Sequence, residues 1–230
     1  MAKSNTLPTH LGLIIDGNRR WARENNLTSL LGHKKGYDNL KKIAKYAIRK
    51  GVKYVSAYIF SVDNWNRSPG EVKYLMNLTK RLLKKDVDEL DKENIKVVWL
   101  GSREKVDKQI LKDIEIAEEK TKNNTKGTLG LCFNYSGHQE IIDAVNKLVK
   151  KGLKDKVTKD LIEENLYGDD IPALDLVIRT SGEQRISNFM LWRIAYAELY
   201  FTNKKWPEFS EKDLDVALSE YAKRNRRFGA

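Results

Sequence analysis

Short apolar runs alternate with longer charged stretches along the chain, and this alternation is the strongest constraint on its fold. The apolar runs have the length and the β-branched or aromatic content of strands, and they cover residues 11–15, 52–60, 95–100, 128–134, 174–178 and 198–202. The charged stretches have helical spacing at about residues 20–25, 37–50, 71–94, 102–122, 141–150, 160–167 and 211–226. Alternating strands and helices form a mostly parallel sheet with helices on its faces. We therefore predict an α/β fold, a single domain over residues 1–230 with a central, mostly parallel sheet of about six strands.

Polar residues follow three of these runs, at the carboxyl ends of the predicted strands. They are Asp16-Gly17-Asn18, Ser61-Val62-Asp63-Asn64 and Arg179-Thr180-Ser181-Gly182-Glu183. Right-handed crossovers bring the carboxyl ends of parallel strands to one edge of a sheet, where α/β proteins bind ligands. The carboxylate of Asp16, the backbone N–H groups beside Gly17 and the cations Arg19 and Arg20 suit a metal-assisted phosphate or diphosphate site. The alternative for Asp16 and Gly17 is an ordinary helix cap and turn.

The composition favours a globular protein with anionic partners. Of the 230 residues, 40% are apolar, and 43 Lys and Arg against 32 Asp and Glu give a net charge of +11. Nucleic acids, phosphorylated substrates and acidic membrane surfaces all suit this charge, so charge alone does not select a function. The single cysteine, Cys132, fits a reducing compartment, and neither a signal peptide nor an apolar run of ~20 residues is visible. We therefore expect a cytoplasmic protein.

The polar segments and several others resemble, in order along nearly the whole chain, the motifs of the cis-prenyltransferases, and most closely those of bacterial undecaprenyl diphosphate synthases. The matching motifs are Asp16-Gly17-Asn18-Arg19-Arg20-Trp21-Ala22, Gly32-His33-Lys34, Phe60-Ser61-x-x-Asn64-Trp65-x-Arg67, Phe133-Asn134-Tyr135, Arg179-Thr180-Ser181-Gly182-Glu183-Gln184-Arg185-Ile186-Ser187, Ala197-Glu198-Leu199-Tyr200-Phe201 and Arg226-Arg227-Phe228-Gly229. Asp-Gly-Asn alone is weak evidence, whereas this ordered set is specific.

The resemblance implies an enzyme that condenses isopentenyl diphosphate onto an allylic diphosphate such as farnesyl diphosphate, with each new double bond cis. It also implies Mg²⁺ dependence, a homodimer, a hydrophobic tunnel for the product and a terminal segment, Arg227-Phe228-Gly229, that reaches the partner's active site. Because a polyprenyl product is apolar, we expect transient contact of a basic, partly apolar face with a membrane surface, so the protein would be peripheral there. We expect no nucleic acid partner.

The resemblance further implies roles for individual residues. Asp16 and Asn64 are the implied catalytic residues, and Asp16 and Glu198 the implied ligands of Mg²⁺. The implied substrate contacts are Gly17, Asn18, Arg19, Arg20, Trp21, Ser29, His33, Ser61, Val62, Asp63, Trp65, Arg67, Arg179, Arg185, Ile186 and Ser187. Arg179, Arg185 and Ser187 form the implied isopentenyl diphosphate site, since two guanidinium forks and a hydroxyl suit a diphosphate. Because an amide is a poor base, we expect Asn64 to orient a proton acceptor.

Four positions depart from the usual pattern of the family. Ser29 stands where an arginine is usual, Asp63 replaces a common glutamate, and Ser136 and His138 replace a glycine and an arginine. Ser29 lacks the charge that an arginine would offer to the allylic diphosphate. Strand alternation also predicts that Ile59 shares a face with Ser61 and lies where a growing product would pass.

Other interpretations remain for the whole chain and for single residues. A non-catalytic partner subunit would not need Asp16, Asn64, Arg179, Arg185 and Glu198 together. A nucleic-acid-binding module would interleave basic residues with exposed aromatic ones, a pattern that is not visible. At the level of residues, Trp65 is also compatible with a core position, His33 with a hydrogen bond to a loop, and Glu198 with an ordinary surface acid.

Overall fold

The structure contains a six-stranded sheet in which all neighbouring strands are parallel. It is a computed structural model that describes residues 7–224. The strands are β1 (His10–Ile14), β2 (Tyr54–Ser61), β3 (Ile95–Leu100), β4 (Gly127–Tyr135), β5 (Leu176–Arg179) and β6 (Glu198–Phe201). Their order across the sheet is β3-β4-β2-β1-β5-β6. The α/β class, the six strands and the parallel arrangement predicted from the sequence are confirmed.

Within residues 7–224, eight α-helices connect and cover the strands. They are α1 (Asn18–Glu24), α2 (Ser29–Lys50), α3 (Pro69–Arg81), α4 (Val87–Lys92), α5 (Lys108–Thr121), α6 (Gly137–Lys150), α7 (Lys159–Glu163) and α8 (Glu211–Lys223). Short 3₁₀ turns occupy Val62–Asn66 and Trp206–Glu208. Helices α2, α5 and α8 pack on one face of the sheet, and the chain between α7 and β6 buries Phe189 and Met190 against the other. No helix within residues 7–224 is long and apolar enough to cross a membrane.

Helix α2 begins at Ser29, earlier than the sequence predicts, because Gly32 and Gly36 serve a helix contact instead of a loop. A Cβ on Gly32 would lie 2.2 Å from the backbone oxygen of Asn18, and a Cβ on Gly36 would lie 2.1 Å from Asn18 Oδ1. Glycines four residues apart therefore let α1 lie directly against α2. As a result, Ser29 and His33 are carried by a rigid helix.

Other predicted helices also have different bounds in the structure, and α6, for example, begins at Gly137. The helix predicted from residue 102 begins at Lys108, because the Asp107 side chain caps it by accepting from Gln109 N at 2.8 Å. The helix predicted for residues 71–94 is interrupted by a π-turn, Leu82–Asp86, which separates α3 from α4. Helix α7 is shorter than predicted and ends at Glu163.

A β-bulge interrupts the alternation of β2 near its carboxyl end. The register against β4 shifts between Tyr58 and Phe60 and again between Phe60 and Ser61. Strict alternation therefore holds only up to Tyr58, so the expectation that alternation alone places Ile59 and Ser61 on one face is wrong. Bulges of this kind redirect side chains beside binding sites.

Candidate functional site

The polar segments that follow β1, β2 and β5 meet at one edge of the sheet, as the sequence predicts. Ile14 in β1 is level with Arg179 in β5, so the chain that follows β1 lies beside the end of β5. Asp16 Oδ2 accepts a hydrogen bond from Arg179 at 3.0 Å and forms an ion pair with Arg20, also at 3.0 Å. The backbone oxygen of Asp16 accepts from Thr180 Oγ1 at 2.7 Å and from Trp206 N at 3.0 Å. Both the backbone and the carboxylate of Asp16 are thus held in place.

Arg179 is a buried cation whose donors are divided between two segments. Its side chain is 4% exposed and donates to Asp16, to Ser187 Oγ at 2.8 Å and to the backbone oxygen of Arg185. Its Nε is buried and has no hydrogen-bond partner among the described residues. An unsatisfied buried donor is costly unless a ligand or water completes it, so this guanidinium is suited to an anionic ligand.

The backbone around the site adopts conformations that are unusual for residues with side chains. Ser181, Ser187 and Asn188 have φ values of 79°, 49° and 63°, all in the left-handed region. Such conformations cost free energy and concentrate at functional sites. Gly17 has a φ of 105°, and a Cβ there would lie 2.7 Å from Ser181 Oγ, so a glycine is required where the chain enters α1.

Glu71, which the sequence analysis did not identify, links three of the predicted substrate contacts. Its carboxylate accepts from His33 Nε2 at 2.9 Å and from Arg67 at 2.9 Å, and Arg19 lies 3.9 Å away. Burial alone would raise the pKa of Glu71, but the hydrogen bond from His33 and the charges of the two arginines outweigh it and lower this pKa. Glu71 therefore holds His33, Arg67 and Arg19 together as a carboxylate.

Local sequence patterns predict only part of the contacts of Glu71. Glu71 follows Arg67 by four residues on the chain, a spacing at which side chains of a helix pair. His33, in contrast, is 38 residues away, and burial lowers its pKa so that the neutral ring donates to Glu71. Arg23 was also missed, although it follows Arg19 by four residues on α1.

The chain after β2 forms the 3₁₀ turn, and a capping box between Ser61 and Asn64 closes its amino end. Asn64 Oδ1 accepts from Ser61 N at 3.1 Å, which leaves the amide nitrogen of Asn64 available as a donor. Trp65 packs edge-on against Phe60 and donates from Nε1 to Asn134 Oδ1 at 2.7 Å. Asn134 was not predicted as a site residue, and it fixes the turn from the end of β4.

A cavity of about 890 Å³ opens at this edge of the sheet and extends between the sheet, α2 and α3. Its mouth is polar and includes Asp16, Gly17, Asn18, Arg19, Arg20, Arg23, Ser29, His33, Ser61, Asn64, Arg67 and Arg179. Its interior is mostly apolar and includes Tyr58, Ile59, Leu75, Leu78, Leu82, Leu131 and Phe133. The bulge in β2 is what brings Tyr58 and Ile59 to this wall together. The arrangement can hold a molecule with an anionic head and a hydrocarbon tail.

Several predicted site residues lie outside the lining of this cavity. Arg185 is exposed and paired with Glu183, and the hydrogen bond from Arg185 lowers the pKa of Glu183. Other predicted residues outside the cavity lining are Trp21, Val62, Asp63, Trp65, Ile186 and Ser187. Of these, Ser187 accepts a hydrogen bond from Arg179. The predicted terminal segment Arg227-Phe228-Gly229 is outside the described residues.

Glu198 is not brought near Asp16 within this chain. It begins β6, level with Leu176 at the amino end of β5, and accepts from Arg224 at 2.7 Å. Within residues 7–224, no group of three or more His, Cys, Asp or Glu side chains is arranged to hold a metal ion. Asp16 is the carboxylate at the cavity mouth, and its Oδ1 accepts no hydrogen bond from the described residues. A single free carboxylate oxygen beside an anion site fits Mg²⁺, which commonly binds through one or two carboxylates and substrate phosphates.

Known proteins with similar sequences and structures share one activity class. A family model described as putative undecaprenyl diphosphate synthase matches residues 14–229. An isoprenyl transferase of Fusobacterium nucleatum is 46% identical over 97% of this chain and 96% of its own length. A lavandulyl diphosphate synthase of Lavandula x intermedia, solved with dimethylallyl diphosphate, has a TM-score of 0.93 at 35% identity over 97% of this chain and 99% of its own.

A second solved structure is similar over its full length. A probable undecaprenyl diphosphate synthase of Campylobacter jejuni has a TM-score of 0.83 at 25% identity, over 98% of this chain and 100% of its own. The matched residues include Asp16 after the end of β1, the turn after β2 and the Arg179 loop, which are the parts that build the cavity mouth. The chain therefore belongs to the undecaprenyl diphosphate synthase family and is a cis-prenyltransferase.

Proposed function

We propose that the chain condenses isopentenyl diphosphate onto an allylic diphosphate such as farnesyl diphosphate. The observation that carries this proposal is the continuity of the cavity, which is cationic at its mouth and apolar inside. In each cycle a C–C bond forms between the two substrates, the allylic C–O bond breaks, diphosphate leaves, and one proton is lost from the isopentenyl unit. The apolar interior would then act as the hydrocarbon tunnel that receives the growing tail.

The two diphosphates are assigned to opposite sides of Asp16. The allylic side would be formed by backbone groups at Gly17 and Asn18, by the side chains of Arg19, Arg20, Ser29, His33 and Arg67, and by the neighbouring Trp21. Arg179, Arg185, Ile186 and Ser187 would form the isopentenyl side, where the buried Arg179 offers an unsatisfied Nε. The turn between β2 and α3 would close over both diphosphates. Its predicted contacts are Ser61, Val62, Asp63, Asn64, Trp65 and Arg67.

Asp16 is assigned the central role in departure of the leaving group. Its free Oδ1 would hold Mg²⁺, which when bound neutralises charge that develops on the departing diphosphate. Glu198 lies at the opposite end of the sheet, so it could join this ion only from a second subunit. Asn64 would donate its amide N–H to orient the group that accepts the proton, since an amide is not itself a base.

A homodimer is supported by an apolar stripe on α6. Ile142, Val145 and Val149 are 50%, 37% and 68% exposed and recur at the helical spacing of one face. Such a stripe is expected to be covered by a second copy. Val149→Glu should shift the mass in solution towards the monomer, whereas Val216→Glu on α8, with 51% exposure at the parent residue, should not.

The catalytic proposal is tested by incorporation of labelled isopentenyl diphosphate into a lipid-extractable product. We expect incorporation with farnesyl diphosphate and Mg²⁺, and its loss with EDTA. Asp16→Ala should abolish most of it, whereas Asp38→Ala, at an exposed ion pair with Lys34, serves as the matched control. No incorporation with any allylic diphosphate from dimethylallyl to geranylgeranyl would contradict the proposal.

A further inference from the structure

Three large apolar side chains are exposed together where the turn after α1 runs into the first turn of α2. Leu27, Leu30 and Leu31 are 41%, 38% and 46% exposed, and we call residues 27–31 the leucine turn. The hydrogen bond from Leu31 N to Thr28 O, at 3.0 Å, fixes the backbone of this turn. Single exposed leucines are common on protein surfaces, whereas three within five residues form a patch that usually has a binding partner.

The leucine turn is continuous with the mouth of the catalytic cavity. Leu27, Thr28 and Ser29 line the cavity, as does Arg23 on the preceding helix. Leu30 and Leu31 extend this lip away from the cavity on the first turn of α2. An apolar surface therefore begins at the point where an apolar product would leave the protein.

Cations surround the leucine turn. Arg23 and Lys35 are exposed and form no ion pair with any described residue, while Lys34 pairs with Asp38 at 3.1 Å. The nearby acid Glu24 is neutralised by Lys205 at 2.6 Å. Exposed leucines ringed by Lys and Arg are the pattern of a surface that enters the headgroup region of an anionic bilayer.

We propose that the leucine turn docks on an anionic lipid bilayer and places the cavity mouth at the membrane surface. Leu30 and Leu31 enter the boundary between headgroups and acyl chains, and Arg23 and Lys35 contact lipid phosphates. The orientation lets a hydrophobic product pass from the cavity into lipid with little contact with water; this consequence rests on the function proposed above, whereas the docking does not.

Flotation with lipid vesicles in the absence of substrate tests the docking. Wild type should bind vesicles of phosphatidylglycerol and phosphatidylcholine more tightly than pure phosphatidylcholine, and added salt should weaken this binding. Leu30→Gln/Leu31→Gln should lower the apparent affinity about tenfold, because two partly exposed leucines would no longer enter the bilayer. Ile116→Gln, which removes an apolar side chain 53% exposed on α5, is the matched control and should bind like wild type.

Thermal unfolding of each variant establishes that it is folded before binding is compared. Absence of wild-type binding to anionic vesicles, or equal binding by wild type and the double variant, would overturn the proposal. So would a lower mass in solution for the double variant than for wild type, because the leucine turn would then be a contact between copies of the chain. Since no substrate is present, failure of docking is distinguishable from failure of the prenyltransferase assay.

Discussion

At the scale of single residues, the site is organised by the carboxylate of Asp16 between two guanidinium groups. Arg179 is buried and Arg20 is partly exposed, and both lie 3.0 Å from the same oxygen. The shared oxygen leaves Oδ1 of Asp16 free at the cavity mouth. Oδ2 of Asp16 therefore pairs with the two arginines, whereas Oδ1 is available to a ligand.

Asp16→Asn tests the charge of this side chain with little change in shape. The amide oxygen can still accept from one arginine, but it no longer neutralises Arg179 or offers an anionic oxygen to a metal. We expect turnover to fall by about a hundredfold or more, with a stability loss of about 1–2 kcal/mol because Arg179 stays partly paired. Steady-state kinetics and urea unfolding measure the two effects, and near-normal turnover would remove Asp16 from the chemistry.

Arg179 and Arg185 should differ in a way that their burial explains. Arg185→Ala removes an exposed cation and should raise the KM for isopentenyl diphosphate about tenfold while leaving stability unchanged. Arg179→Ala should raise the same KM and also destabilise the fold, since Asp16 and Ser187 lose their buried partner. Arg103→Ala, at an exposed ion pair with Glu115, is the control. An effect confined to the KM of the allylic substrate would refute the assignment of both arginines.

At the scale of elements, hydrophobic periodicity was sufficient to predict the strands and the edge at which the site forms. The bounds of β3 match the prediction, and the carboxyl ends of β1, β2 and β5 carry the expected polar segments. The family resemblance added the roles of residues such as Ser187, whose contact with Arg179 no local pattern indicates.

Features that depend on contacts distant in the sequence were not predictable from these patterns. Gly32 and Gly36 look like a loop, yet their missing side chains make room for Asn18 inside a helix pair. Glu71 meets His33 only because α3 returns beside α2. The bulge in β2 leaves no trace in the alternation of apolar residues, although it decides which side chains line the cavity.

Strand β2 lines the cavity, and a substitution in this strand tests what controls the product length. Ile59 is half-buried, lies in the bulge and lines the cavity below Ser61. Ile59→Ala should widen this part of the cavity and shift products towards longer chains at a fixed substrate ratio. The loss of stability should not exceed about 2 kcal/mol, since Ile59 is not fully buried. Mass analysis of the dephosphorylated products is the measurement, and an unchanged distribution in an active variant would place length control elsewhere.

At the scale of the whole molecule, buried polar contacts tie the strands to the segments that close the sheet. His10 on β1 is fully buried, lies 2.8 Å from Ser56 Oγ on β2 and 2.8 Å from the backbone oxygen of Pro172. A buried ion pair, Arg193 with Glu140 at 2.7 Å, joins the chain before β6 to α6. These contacts connect parts of the chain that are far apart in sequence, so their loss affects global stability.

His10 should make the protein less stable in acid. Burial lowers the pKa of His10 from 6.5 to about 4 in the folded state. Between these values the unfolded chain binds the proton and the folded protein does not, so the free energy of unfolding should decrease as the pH falls from about 6.5 to about 4. The full effect is roughly 3 kcal/mol.

Urea unfolding at several pH values measures this contribution. His10→Gln can retain the contacts with Ser56 and Pro172, and it should remove most of the decrease between neutral and acid pH. His138→Gln alters an exposed histidine and should keep the wild-type profile. An identical pH profile for wild type and His10→Gln would show that folding does not lower the pKa of His10.

The central claim is that the cavity above Asp16 joins isopentenyl units to an allylic chain with cis geometry. The most direct measurement is ¹³C NMR of the product made from ¹³C-labelled isopentenyl diphosphate and farnesyl diphosphate, which reports the geometry of every newly formed double bond. We expect labelled units in Z configuration, and far less labelled product when Asp16→Asn replaces the wild-type protein. Labelled units in E configuration, or a labelled product formed equally well by Asp16→Asn, would contradict this account.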